Sequence, residues 1–269
     1  MGSCLSTVDD AVNDFLDQQS RYYKESTDAK KYATAAAAKK SENHDTDSSH
    51  LSAVLKSDLS PIYPSLPKAA KKYHCNCVYD GDTLTLDDGS RVRLIGIDTP
   101  ELKEKQPFAV EAKEYTKKYC HGRDIWLTFD QKDATNSTDH YGRLLAFVWV
   151  NLTEKPKGSN SAQWLCINEG LVAAGLANAY SPSNTKKIHN YDKMLGLQKL
   201  ARTHKCGQWK CYKDEQVITT PSGSAFHKCK EAGKMSSDCK HLSRSKNLKL
   251  ISASEAYDKG LHPCRNCMS

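Results

Sequence analysis

The chain has 269 residues, with 39 Lys and Arg against 32 Asp and Glu and a formal charge of +7. That length suits one medium domain with additions, and a modest basic excess fits a polyanionic partner without establishing one. Runs of about 18 apolar residues are absent, so no transmembrane helix is expected. Asp9, Asp10 and Asp14 interrupt any signal-peptide core. With no secretory route expected, the eleven cysteines point to metal ligation or acylation ahead of disulfides.

In chain order, Met1-Gly2-Ser3-Cys4-Leu5-Ser6 fits the N-myristoylation pattern, with Gly2 as acceptor and Ser6 at the required position. Cys4 is a natural palmitoyl site beside it. One myristoyl chain binds membranes only marginally, whereas a second makes the anchor durable. The expectation is a protein held at the cytoplasmic face of a membrane, the plasma membrane first. A soluble cytoplasmic protein is the alternative. Residues 1–72 read as an acylated stalk and linker. Ala29 to Lys40 has high helix propensity but a weak apolar stripe, and Ser60 to Pro67 carries three prolines.

Tyr73 to Tyr79 reads as the first strand of a folded domain over residues 73–212. Thr83 to Leu86 and Arg91 to Ile97 alternate apolar and polar residues around Asp88-Gly89, which is a hairpin signal. Asp80 and Asp82 precede the first of these strands, and Asp98 and Glu101 follow the second. Arg93 lies on the pleat face opposite Val92 and Leu94. The hairpin therefore gathers four carboxylates and an arginine. Like charges that close call for a cation, and hard oxygen ligands suit calcium or magnesium. Pro107 to Cys120 reads as an amphipathic helix ended by Gly122. Asp124 to Phe129 and Arg143 to Val150 read as strands, and Gln163 to Leu176 and Lys187 to Thr203 as helices. Five strands with these interleaved helices predict a mainly β, α+β fold: a small barrel with packed helices.

Three blocks, in order, resemble the staphylococcal (thermonuclease-like) nuclease family: Asp80-Gly81-Asp82-Thr83, Arg93 through Glu101 (RLIGIDTPE), and Asp139-His140-Tyr141-Gly142-Arg143. A weaker block is Ile167-Asn168-Glu169-Gly170-Leu171-Val172, followed by Gly175-Leu176-Ala177. The resemblance spans about Tyr73 to Trp209. It implies a five-stranded OB-type barrel with three helices and calcium-dependent hydrolysis of DNA and RNA to 3′-phosphate products. It implies that Asp82 and Asp98 ligate calcium with the Thr99 carbonyl, and that Glu101 is the general base or positions the attacking water. Arg93 and Arg143 would grip the scissile phosphate. Asp80 would support the metal from behind, and Tyr141 and Tyr180 would line the nucleotide site. The chemistry stands apart from the family as well. Phosphodiester hydrolysis builds negative charge on nonbridging oxygens, which a divalent cation and guanidinium forks stabilise, while a carboxylate handles water.

Residues 213–269 form a basic segment with ten Lys and Arg against six Asp and Glu. His227, Cys239 and Pro263-Cys264-Arg265-Asn266-Cys267 resemble a small module appended to some bacterial members of that family. His227, Cys239, Cys264 and Cys267 make a Cys₃His set of the kind structural zinc takes. Ten residues separate His227 from Asp238 and include Cys229, which can stand in for His227 as a ligand. A redox Cys-x-x-Cys pair is the other reading. Ser252 to Gly260 reads as a short helix. The rival to an enzyme is a non-catalytic OB-fold module binding nucleic acid or a modified peptide. The expected partners are DNA, RNA and a membrane surface through the acyl chains, and no feature names a protein partner.

Overall fold

The computed structural model describes residues 59–130, 138–152, 163–181, 188–242, 245 and 247–268. The Gly2 and Cys4 acylation motif and the Ala29 to Lys40 stretch lie outside the described residues.

Five strands close a mixed barrel: β2 (Lys71–Val78), β3 (Thr83–Leu86), β4 (Arg91–Leu94), β6 (Arg123–Thr128) and β7 (Leu144–Asn151). β2 pairs antiparallel with β3 and β6, β3 with β4, and β6 with β7. A parallel β4–β7 pairing, Arg93 opposite Leu145, completes the ring. Closure leaves no free edge among these strands. The pleat sends Leu84, Leu86, Val92, Leu94, Ile125, Leu127 and Val148 inward, all buried. The expected OB-type barrel is what the chain forms.

The remaining elements fix the site from outside. β5 (Ile97–Asp98) pairs with β9 (Asn178–Ala179). Helix α1 (Ala109–Cys120) buries Ala112, Tyr115, Thr116 and Tyr119. α2 (Ile167–Ala173) is buried all round, and α3 (Tyr191–Thr203) buries Met194, Leu197, Gln198 and Ala201.

Three sequence expectations shift. Arg91 to Ile97 is two strands rather than one, because Gly96 takes φ +82° and turns the chain. That turn aims Ile97–Asp98 away from the hairpin partner. The helix expected over Gln163 to Leu176 begins as a strand, β8 (Trp164–Cys166). Its Trp149↔Cys166 and Val150↔Leu165 pairings to β7 override local propensity. Ser60 to Pro67, read as linker, holds β1 (Ile62–Tyr63), which pairs with Trp164 and Leu165. Leu59, Ile62, Tyr63 and Leu66 all lie against the barrel core, so the folded unit starts upstream of Tyr73.

The tail carries more order than its composition suggests. β10 (Gln216–Thr219), β11 (Ala225–Lys228), β12 (Lys249–Ser252) and β13 (His262–Pro263) make a four-stranded sheet in the order β12-β10-β11-β13. α4 (Ala253–Asp258) is capped by Ser252, whose Oγ accepts from Glu255 N. The tail docks on α3. Arg202 and Lys199 both reach Asp258, Tyr191 donates to the Gly260 carbonyl, and Trp209 meets Tyr257 edge-on at 5.0 Å.

Candidate active site and metal centre

Local chemistry explains how the carboxylates meet. A Cβ on Gly81 would sit 2.8 Å from Ala112 Cβ and 2.8 Å from Thr99 Cγ2, so only glycine lets the hairpin entry press against α1 and the Thr99 segment. Thr116 Oγ1 donates to the Gly81 carbonyl at 2.6 Å and pins that loop. Asp82, 6% exposed, then accepts from Thr99 N at 3.0 Å and Thr99 Oγ1 at 2.9 Å, both on Oδ2. Thr83 Oγ1 donates to its other oxygen. Asp98 arrives through the Gly96 turn. Arg93 Nη2 stands 3.2 Å from both Asp82 and Asp98.

The electrostatics are those of crowded carboxylates. Burial and the Asp82 charge push Asp80 up to about 6. Burial, with the charges of Asp82 and Asp98, raises Glu101. Glu101 is itself held by Gln106, whose Oε1 accepts from Glu101 N at 2.8 Å. Gln106 carries no motif signal and escapes sequence reading.

Arg143 comes from the loop before β7. Asp139 Oδ1 accepts from Tyr141 N and Arg143 N, folding that loop around its carboxylate. Asp139 Oδ2 accepts from both Arg143 Nε and Nη2 at 2.7 Å each, so one carboxylate oxygen holds that edge of the guanidinium. Despite burial, these bonds hold Asp139 below the usual carboxylate range. The Arg143 guanidinium lies 5.4 Å from the Tyr141 ring, which is 72% exposed at the rim.

Asp80, Asp82, Arg93, Asp98, Glu101, Tyr141, Arg143 and Tyr180 line one open cleft of about 1200 Å³, while Thr99, buried against Asp82, is not on its walls. Tyr79, Arg91 and Lys103 also line the cleft, although sequence reading assigned them no role in the site. So does Arg265, from the tail.

Buried Asn168 and Glu169, seen in the sequence only as a weak block, have structural roles. Asn168 Nδ2 donates to the Ile95 and Ala146 carbonyls, and its Oδ1 accepts from Val148 N, fixing the Gly96 turn against β7. Glu169, fully buried, accepts from Tyr63 and Lys193.

The second cluster is in the tail. His227, Cys239, Cys264 and Cys267 place one donor atom each within 4.8 Å of one another. Cys239 Sγ and Cys264 Sγ are 3.8 Å apart, and Cys267 Sγ is 3.7 Å from His227 Nδ1. Tetrahedral ligands at about 2.3 Å from zinc stand roughly 3.7 Å from each other, so the donor set fits a metal ion. The thiols also receive amide donors: Lys228 N reaches Cys267 Sγ and Asn266 Nδ2 reaches Cys239 Sγ, an arrangement suited to thiolates. Cys229 does not replace His227, because its thiol turns to the Gln216 carbonyl. His241, unremarked in the sequence, lies beside the cluster with Nδ1 3.4 Å from Cys264 Sγ.

Comparison with known proteins fits this geometry. The family described as Staphylococcal nuclease homologue matches residues 91–211. Protein ParB of Escherichia coli is 33% identical over 138 residues, covering 49% of this chain and 68% of that protein. The chain belongs to the staphylococcal nuclease family. Within that family, the Thermonuclease of Staphylococcus intermedius is 40% identical over 87 residues, 30% of this chain and 49% of the relative. Endonuclease YncB of Bacillus subtilis is 35% identical over 119 residues, 42% of this chain and 50% of the relative. The chain thus spans about half the length of these two relatives.

Proposed function

We propose that this chain is a calcium-dependent phosphodiesterase that hydrolyses DNA and RNA and leaves 3′-phosphate ends. The observation that carries the reading is the convergence of Asp82, Asp98, Glu101, Arg93 and Arg143 on one open cleft. The relatives named as thermonuclease and endonuclease support it. Asp82, Asp98 and the Thr99 carbonyl would hold calcium, with Asp80 behind them. Crowded oxygen donors of this kind fit a hard cation. When bound, calcium supplies positive charge for the phosphoryl oxygens and orients the substrate.

The chain's own groups do the rest. Arg93 and Arg143 meet the nonbridging oxygens of the scissile phosphate with planar, permanently charged forks. Asp139 preorganises Arg143 for that contact. Glu101, raised by its burial and its neighbours, accepts a proton from the attacking water or orients it. The water oxygen bonds to phosphorus as the bond to the 5′ oxygen breaks, and the departing oxygen takes a proton from solvent to become the 5′-hydroxyl. Tyr141 and Tyr180 line the nucleotide side. A non-catalytic binding module needs none of this charge arrangement. Incubating the full chain with a labelled single-stranded oligonucleotide separates the two: cleavage in calcium and none in EGTA is expected, and binding without cleavage in calcium overturns the enzyme reading.

The tail cluster is read as a structural zinc site. About 57 tail residues bury two small apolar clusters, around Val217–Phe226 and Ile218–Leu242, and a metal staple suits so small a core. Metal analysis should return about one zinc per chain. Cys264→Ser should lose it and make the tail sensitive to proteolysis, with the barrel unchanged. A zinc-free wild type with an intact tail contradicts the assignment.

We also infer a membrane tether through Gly2 myristoylation and Cys4 palmitoylation, on the sequence pattern alone. Labelled myristate should enter the wild type and not Gly2→Ala. Equal labelling of both removes the idea.

A further inference from the structure

The tail sends one side chain into the nuclease cleft. Arg265 sits between the two cluster cysteines Cys264 and Cys267, in a turn closed by Cys267 N and Met268 N donating to the Cys264 carbonyl. Its Nη2 reaches Asp98 Oδ1 at 3.0 Å and Oδ2 at 3.2 Å, across 167 residues of sequence. It lines the same cleft as Arg93, Glu101 and Arg143.

Four arginines line this cleft: Arg91 lies 5.6 Å from the centre of the Tyr79 ring, while Arg93, Arg143 and Arg265 each pair with a carboxylate and differ in how they are held. Arg93 is 13% exposed and shared between Asp82 and Asp98. Arg143 is 24% exposed and gripped by Asp139. Arg265 is 71% exposed, and among the described residues its hydrogen bonds run from Nη2 to Asp98. Arg93 is divided between Asp82 and Asp98, and Arg265 brings Asp98 a second guanidinium. Arg265 keeps most of its donors toward open space, on a turn that both the cysteine cluster and the β11–β13 pairing fix in place. Fixing a fork in advance lowers the entropy lost when it meets an anion.

We propose that Arg265 is a third substrate-binding arginine, contributed by the tail, which grips a phosphate next to the scissile one. The proposal rests on the nuclease reading. It makes the Cys/His module part of the substrate site rather than an appended domain. A fork that meets a backbone phosphate adds affinity without base preference, so the contact is sequence-independent.

The test uses the full chain and a fluorescein-labelled single-stranded oligonucleotide. Anisotropy in EGTA, where cleavage is absent, measures binding across a salt series, and steady-state cleavage in calcium measures kcat and KM. Arg265→Ala should weaken binding about 5–10-fold, and lower the slope of log affinity against log salt by about 0.7, the value for one phosphate on a single strand. KM should rise by a similar factor with kcat within about threefold. Arg265→Lys should recover part of the affinity, since it keeps the charge and loses the fork. Zinc content equal to wild type shows that the tail is intact in each variant. Unchanged binding, salt slope and KM in Arg265→Ala overturn the proposal. So does faster cleavage with unchanged binding, which would make Arg265 a blocking contact on Asp98. A wild type that binds but does not cut refutes the nuclease reading alone, because the EGTA binding arm still decides whether Arg265 holds a phosphate.

Discussion

Replacing Arg143 by alanine is expected to lower turnover by about 10²–10⁴-fold and leave folding nearly untouched. Arg143 is held toward the cleft by Asp139, whose Oδ2 accepts from Nε and Nη2, so in the proposed reaction it would meet developing phosphoryl charge already oriented, where one lost donor costs about 10²–10³ in kcat. A whole guanidinium fork supplies more than one donor. The loss to stability is small, because the pair is partly exposed and such pairs contribute roughly 0–1 kcal/mol. Arg143→Lys should recover only part of the rate, since the ammonium cannot present two parallel donors. Single-turnover cleavage beside a thermal melt checks both halves. A variant that cuts within about tenfold of wild type removes Arg143 from the chemistry.

The largest stability effect is expected at a site remote from the cleft. Lys193 Nζ lies 2.7 Å from Glu169 Oε2, 2.6 Å from Tyr63 Oη and 2.7 Å from the Ser60 carbonyl, and 4.2 Å from the centre of the Tyr63 ring. Glu169 is fully buried, and Lys193 is 17% exposed. Lys193→Met keeps the side-chain volume and strands a buried carboxylate. Breaking such a pair costs about 3–5 kcal/mol, a fall in Tm of roughly 6–20 °C for a domain of this size. The double variant Lys193→Met with Glu169→Leu should recover much of that, because removing both charges also removes the desolvation cost. A single variant within about 1 kcal/mol of wild type by denaturant melt contradicts this account. The network also ties β1 to α2 and α3, so upstream residues 59–63 share its fate.

What the sequence reveals follows from how local each contact is. Asp80, Asp82, Arg93, Asp98 and Glu101 lie within 22 residues on one hairpin and its exit, so alternation and turn chemistry suffice to gather them. Arg143 enters through the family resemblance, since nothing in its neighbours names the strand it will adjoin. The Cys₃His set is legible from cysteine spacing, but choosing His227 over Cys229 needs the β10–β11 pairing that turns Cys229 toward Gln216. Other features are tertiary in origin. Trp164–Cys166 looks helical in isolation and becomes a strand because β7 and β1 flank it. The tail strands are two to four residues long, too short for a period of two to register. Glu169 and Lys193 read as ordinary helix residues until α2 and α3 bring them together. Arg265 reads as a spacer between two cysteines until the tail folds back on Asp98.

The central claim is that the hairpin carboxylates and the two barrel arginines make a calcium-dependent phosphodiesterase centre. The most direct measurement is a calcium titration in which binding heat and oligonucleotide cleavage are followed on the same samples of wild type and Asp82→Asn. The account predicts that cleavage rises with site occupancy in the wild type, and that Asp82→Asn loses calcium affinity and turnover together while keeping its fold. Cleavage by Asp82→Asn at the wild-type rate, or full wild-type activity in EGTA, would contradict it.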